Sequence, residues 1–126
     1  MGVMGVGVDI VEVKRIRRLR EKYGDKFLNK IFTDVEILTC LQSRRSDEMF
    51  AGRFAAKEAI MKALRAGLFT GVNFKEIEIS GGVDKPPTIK LHAHAVRAAI
   101  SAGATKFSLS LSHEREYAVA VVIVES

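Results

Sequence analysis

A chain of 126 residues has room for one hydrophobic core rather than two. With 48% hydrophobic and 28% charged residues it is not intrinsically disordered, and its longest apolar run, Ala118 to Val124, is far short of the ~18–20 residues of a membrane span. Lys and Arg number 20 against 15 Asp and Glu, and the net charge of +5 favours acidic partners: nucleic acid, a polyphosphate ligand, an acidic protein or an anionic membrane surface.

The N-terminal MGVMGVGVDIV is apolar but has no basic stretch and no cleavage site of small residues, so it does not read as a signal peptide. Val6 breaks the myristoylation pattern. The lone Cys40 cannot form an internal disulfide or a thiolate cluster, which fits a reducing, cytoplasmic setting. Gly5 to Val11 reads as a strand with Val6, Val8 and Ile10 on one face and Gly5, Gly7 and Asp9 on the other. A basic helix from about Val13 to Tyr23 places Ile16, Leu19 and Tyr23 on one side and Lys14, Arg15, Arg17 and Arg18 on the other. Phe27, Leu28 and Ile31 suggest a helical turn, and Thr33-Asp34-Val35-Glu36 is a capping box opening a helix toward Leu41.

The longest helix is expected from Ser46–Asp47 to Gly67. Strands follow at Glu76–Ile79 and Thr88–Leu91 around a Gly81–Pro87 turn, then an Ala-rich helix from Ala93 to Ala102 closed by Gly103. Phe107 to Ser112 alternates strictly, and Tyr117 to Val124 reads as a strand buried on both faces. The expected fold is a single α+β domain over residues 1–126, with a mostly antiparallel sheet packed by a long central helix and shorter ones.

Three places could carry chemistry. Asp9 lies in an apolar strand, where an unpaired buried carboxylate is costly; it is either exposed or bridged to a helix, or it is a metal ligand with Gly7 leaving room for a ligand. In the long helix, Arg53 and Lys57 fall inside the apolar arc, as suits a helix serving an anionic site. Glu58 and Lys62, at i and i+4, are either a surface ion pair or part of that site. His113 ends a strand, as a structural residue or as one reaching into a cleft. His92-Ala93-His94 lacks further ligands and is assigned no role, and Cys40 reads as structural.

Together, Gly5-Val6-Gly7-Val8-Asp9-Ile10-Val11-Glu12, Phe32-Thr33-Asp34-Val35-Glu36, Ala51-Gly52-Arg53-Phe54-Ala55-Ala56-Lys57-Glu58-Ala59 and Ser110-Leu111-Ser112-His113 resemble, in order, the motifs of the bacterial holo-acyl-carrier-protein synthases, the small class of 4′-phosphopantetheinyl transferases. The resemblance implies transfer of the 4′-phosphopantetheine arm of coenzyme A to a serine of apo acyl carrier protein, releasing adenosine 3′,5′-bisphosphate, in fatty acid biosynthesis. It implies Mg²⁺ on Asp9 and Glu58, with Glu58 and Lys62 catalytic. It assigns coenzyme A to Arg53, Phe54, Lys62, Gly67, Lys85, Pro86, Ser112 and His113, and the carrier protein to Arg15 and Arg18. It further implies a homotrimer with active sites at the subunit interfaces. Arg65, Asp84 and Glu114 depart from the family's usual Gly, Gly and Thr, and Glu114 adds a negative charge near a polyphosphate. The competing reading, a nucleic-acid-binding domain built on Lys14–Arg20, lacks the stacking aromatics such a surface needs; aromatics are 7% of the chain, with no Trp.

Overall fold

The first alternating segment forms a long strand through its β-branched valines and isoleucine and its pairing with the last strand along nearly its whole length. The computed structural model describes residues 2–64, 71–81 and 85–126. In it, strand β1 (Val3–Glu12) runs into helix α1 (Val13–Tyr23), and three more helices follow: α2 (Asp25–Ile31), α3 (Asp34–Leu41) and α4 (Ser46–Ala63). A 3₁₀ turn at Phe74–Glu76 leads to strands β2 (Ile77–Ser80) and β3 (Thr88–Leu91), helix α5 (His94–Ala102), and strands β4 (Lys106–His113) and β5 (Tyr117–Glu125). Among the described residues all strand pairings are antiparallel, as expected, and they form two sheets of order β1-β5-β4 and β2-β3.

Helix α4 lies across the inner face of the three-stranded sheet and is buried along nearly its whole length. Ala51, Gly52, Ala55, Ala56, Ala59 and Ala63 keep its surface low, and Gly5 and Gly7 let β1 approach it. A Cβ on Gly7 would overlap the Ala59 carbonyl, and one on Gly5 the Ala63 carbonyl. Gly7 therefore makes room for the helix backbone and not for a ligand. Asp9, next on the same face, reaches past the glycines to the side of α4.

The opposite face of β1 is uncovered. Val6, Val8 and Ile10 are 55–64% exposed, and Val8 pairs with Val121 and Val6 with Ile123 of β5, both of which are also exposed. The last strand is thus buried on its inner face only, because no second layer covers the outer one. Its inner residues Ala118, Ala120, Val122 and Val124 are fully buried.

Lys57 differs from its expected role. It is completely buried, its ammonium donating to Glu36 Oε1 at 2.7 Å, to the Phe74 carbonyl at 2.9 Å and to the Ile77 carbonyl. Glu36 is also the acid of the α3 capping box. The Thr33 N–H donates to its Oε1 at 2.9 Å and the Ile79 N–H to its Oε2 at 2.9 Å. Burial pulls the Lys57 ammonium pKa down and the Glu36 charge pushes it back. One ion pair therefore ties α3, α4 and β2 together and leaves no charge free for an anionic ligand.

Candidate active site

Past the glycines of β1 and one turn before the end of α4, three charged side chains meet. Lys62 Nζ donates to Asp9 Oδ1 at 2.7 Å and to the Val8 carbonyl at 3.4 Å, so the lysine turns to the strand and not to Glu58 four residues earlier. That hydrogen bond raises the Lys62 pKa. Glu58 is half-buried, and its carboxyl pKa is raised first by burial and then by the Asp9 charge, with Lys62 and Arg15 opposing. Two carboxylates thus sense each other beside two cations. Among the described residues no group of three or more His, Cys, Asp or Glu is placed to hold a metal ion.

Glu58 stands at the edge of a cleft of about 710 Å³ between α1, α2, α4 and the 3₁₀ turn. Leu19, Phe27, Ile31, Phe54 and Phe74 give it an apolar floor, and Arg15, Lys26 and Lys30 a cationic rim. Phe54 packs on Phe74 with ring centroids 5.6 Å apart, and the Arg15 guanidinium lies 5.8 Å over the Phe54 ring. Of the other α1 bases, Arg18 is exposed outside this cleft. Arg17 and Arg20 are both paired with Asp47, at 3.1 and 2.6 Å.

A second cleft, about 350 Å³, opens elsewhere along α4 and is lined by Arg45, Gly52, Arg53, Ser112 and His113 among others. Arg53 is 3% exposed; its Nη2 donates to the Gly81 carbonyl at 3.2 Å, and its buried Nε has no partner among the described residues. Gly81, at φ +77°, lies against the Pro86 carbonyl, so Arg53 also braces the loop that brings Lys85 and Pro86, both exposed, into β3. His113 Nδ1 is 3.0 Å from Glu48 Oε1, and its ring edge faces Gly52. The charge of Glu114 is turned away into the β4–β5 hairpin, where it accepts from the backbone N–H groups of Glu116 at 2.8 Å and Tyr117 at 2.7 Å. Gly67, Arg65 and Asp84 lie outside the described residues.

The sequence-derived residues therefore fall into two groups: Asp9, Glu58, Lys62, Arg15 and Phe54 at one end, Arg53, Ser112 and His113 at the other. Sequence reasoning missed Lys26, Lys30 and Phe74 in the large cleft, and Glu48 behind His113. Only Glu48 had a local signal, an acid in the first turn of α4. Each of the two histidines given no role meets a carboxylate, His92 with Glu78 at 3.5 Å and His94 with Glu76 at 3.2 Å. Cys40 is buried, and burial pushes its thiol pKa up to about 11, an unreactive state.

Residues 5–122 match the 4′-phosphopantetheinyl transferase superfamily. A holo-[acyl-carrier-protein] synthase of Koribacter versatilis is 42% identical over 123 residues, 98% of each chain. One of Vibrio atlanticus is 40% identical over 126 residues, the whole of both. The crystal structure of the Helicobacter pylori holo-[acyl-carrier-protein] synthase in complex with coenzyme A is similar with a TM-score of 0.81 at 33% identity, covering 95% of this chain and 99% of that one. The synthase from Neisseria meningitidis gives 0.84 at 32% identity, over 99% and 100%.

Proposed function

This chain belongs to the holo-[acyl-carrier-protein] synthases of the 4′-phosphopantetheinyl transferase superfamily, and from that premise we propose how its residues carry the transfer. The serine hydroxyl of an apo acyl carrier protein attacks the pantetheine-side phosphorus of the coenzyme A pyrophosphate. A new P–O bond to serine forms, the pyrophosphate P–O bond breaks, and adenosine 3′,5′-bisphosphate leaves. The observation that carries this reading is the meeting of Asp9, Glu58, Lys62 and Arg15 at the edge of the 710 Å³ cleft.

Glu58 takes the serine proton; a carboxylate made more basic by burial and by its neighbour suits that task. Lys62 holds the charge that develops on the phosphate oxygens. Two hard carboxylate donors without soft ligands fit Mg²⁺, which keeps water and phosphate oxygens as its remaining ligands, so Asp9 and Glu58 would hold it and its charge would offset that of the pyrophosphate. Arg53, with an unpartnered buried Nε, His113 and Ser112 hold the nucleotide's phosphates, with Lys85 and Pro86 on the adenine side. Phe54 walls the site between Arg15 and Phe74.

The carrier approaches over Arg15 and Arg18, and the cleft's apolar floor with Lys26 and Lys30 extends that acidic-partner surface. The uncovered face of β1 and β5 supports a homotrimer with sites completed between subunits, since an apolar surface of this kind is stable when another copy covers it. The setting is the cytoplasm, where the product serves fatty acid biosynthesis; no helix among the described residues is long and apolar enough to cross a membrane. A nucleic-acid role is not supported, because Arg17 and Arg20 are spent on Asp47 and full-length relatives are synthases.

The test is to incubate the protein with apo acyl carrier protein, coenzyme A and Mg²⁺, with and without a chelator, and to weigh the carrier by mass spectrometry. A gain of one phosphopantetheine arm, abolished by the chelator, is expected. No gain beside an active control enzyme would overturn the reading.

A further inference from the structure

Glu48 is 8% exposed, yet among the described residues its only ion-pairing partner is His113. An ionised carboxylate can only accept, so at 3.0 Å from Nδ1 it requires the proton on that nitrogen. The ring's other nitrogen, Nε2, is then left for the cleft it shares with Arg45, Arg53 and Ser112. The Cδ2 edge of the ring lies over Gly52, where an added Cβ would stand 3.8 Å from it, an ordinary packing distance. Two positions 65 residues apart in sequence, Glu48 on α4 and His113 at the end of β4, thus set one imidazole in a single orientation.

We infer that Glu48 is a positioning residue for coenzyme A: it holds His113 with Nδ1 protonated and Nε2 turned to the nucleotide's phosphates, and its charge supports the imidazolium that donates to them. The inference rests on the assignment of His113 to those phosphates. The mechanism is that of a carboxylate behind a working histidine, which fixes the tautomer and supplies a compensating charge. Lys14, Arg17 and Arg115 line a neighbouring cleft with Glu48 but none is within ion-pair distance of it, so its charge is directed at His113.

The test compares wild type with Glu48→Gln, Glu48→Leu, His113→Ala and the double variant Glu48→Gln/His113→Ala. Affinity for adenosine 3′,5′-bisphosphate is measured by calorimetry, the KM of each substrate by steady-state kinetics, and the His113 ring tautomer by nitrogen NMR. Glu48→Gln keeps an acceptor but removes the charge. It should weaken bisphosphate binding roughly tenfold, as for loss of a charge-assisted bond, and raise the coenzyme A KM with the carrier KM unchanged. Glu48→Leu should lose the Nδ1–H tautomer as well. In the His113→Ala background, Glu48→Gln should change nothing further. If His113→Ala weakens binding but Glu48→Gln does not, or if both variants merely lower the melting temperature, the positioning role falls while the phosphate assignment stands. If His113→Ala leaves binding unchanged, the assignment itself falls, and the inference with it.

Discussion

At the residue scale, the Asp9 charge opposes ionisation of Glu58. Burial and the Asp9 charge raise the Glu58 carboxyl pKa above its ordinary value of 4.5. Folding therefore favours the protonated form, so this group's contribution to stability is complete below 4.5 and is lost as pH rises through the raised value. Glu58→Gln, which mimics the protonated acid, should melt slightly higher than wild type at pH 8, by less than about 1 kcal/mol for a partly solvated group, with the difference vanishing toward pH 4. Thermal melts across that range check it. In the proposed reaction, Asp9→Ala and Glu58→Ala should each lower kcat by a factor of about 10² or more while circular dichroism stays native. Unchanged Mg²⁺-dependent rates in either variant would remove the carboxylate pair from the chemistry. Lys62 shows what sequence spacing leaves open. Its partner is Asp9, 53 positions away, rather than Glu58 one helical turn before.

At the scale of elements, α4 disperses its charges because each answers to a different neighbour. Asp47 binds α1, Glu48 meets β4, Arg53 braces the β2–β3 loop, Lys57 ties α3 to β2, and Lys62 reaches β1. The dispersal was visible in sequence as an anomaly, but the reading that it served an anionic site was wrong for Lys57. Such a pair gives little net stability compared with apolar residues, but losing one partner leaves a buried charge uncompensated. The β1–α4 contact is the other element-scale constraint. Gly7→Ala should destabilise the protein by about 1–3 kcal/mol through overpacking against the α4 backbone, read as a lower urea midpoint with an unchanged slope. Wild-type stability in that variant would mean that strand and helix can separate at no cost.

Two features belong to the whole molecule. The net charge of +5 is not spread evenly in its effect: Arg17 and Arg20 share the carboxylate of Asp47, while Arg15, Lys26 and Lys30 rim the cleft. Reversing Arg15 and Arg18 to Glu should raise the carrier KM about tenfold or more, with little effect on the coenzyme A KM, and flatten the salt dependence of the carrier's kcat/KM. An equal loss for both substrates would indicate misfolding instead. The uncovered sheet face makes the second prediction. With the proposed trimer built on this face, Val8→Glu should shift the sedimentation profile to monomer with loss of turnover, while the monomer keeps its secondary structure. A wild-type protein that sediments as a monomer at working concentration would leave that face unexplained.

The periodicities of the chain determined the elements by themselves. Alternation in β1 and β4, the Thr33–Glu36 capping box and Gly103, in the left-handed region at φ +79°, are local physics, and β1, β4, α3 and the end of α5 appear where those signals place them; α4 is described to Ala63, and Gly67, its expected end, lies outside the described residues. Spacing alone left Asp9, Glu58, Lys62 and His113 open between ordinary and functional roles; it was the resemblance of the motifs to the family that singled them out, with Arg53. Only the tertiary structure decided which face of β1 is covered, since an apolar and a glycine face are each able to pack, and the choice depended on how closely α4 could approach. It alone decided that Lys57 is structural, that the outer face of β5 is bare and that Glu48 stands behind His113, 65 positions away. Charge pairing and layer order depend on distances in space, and a one-dimensional pattern carries those only within a turn of helix or a pair of strand residues.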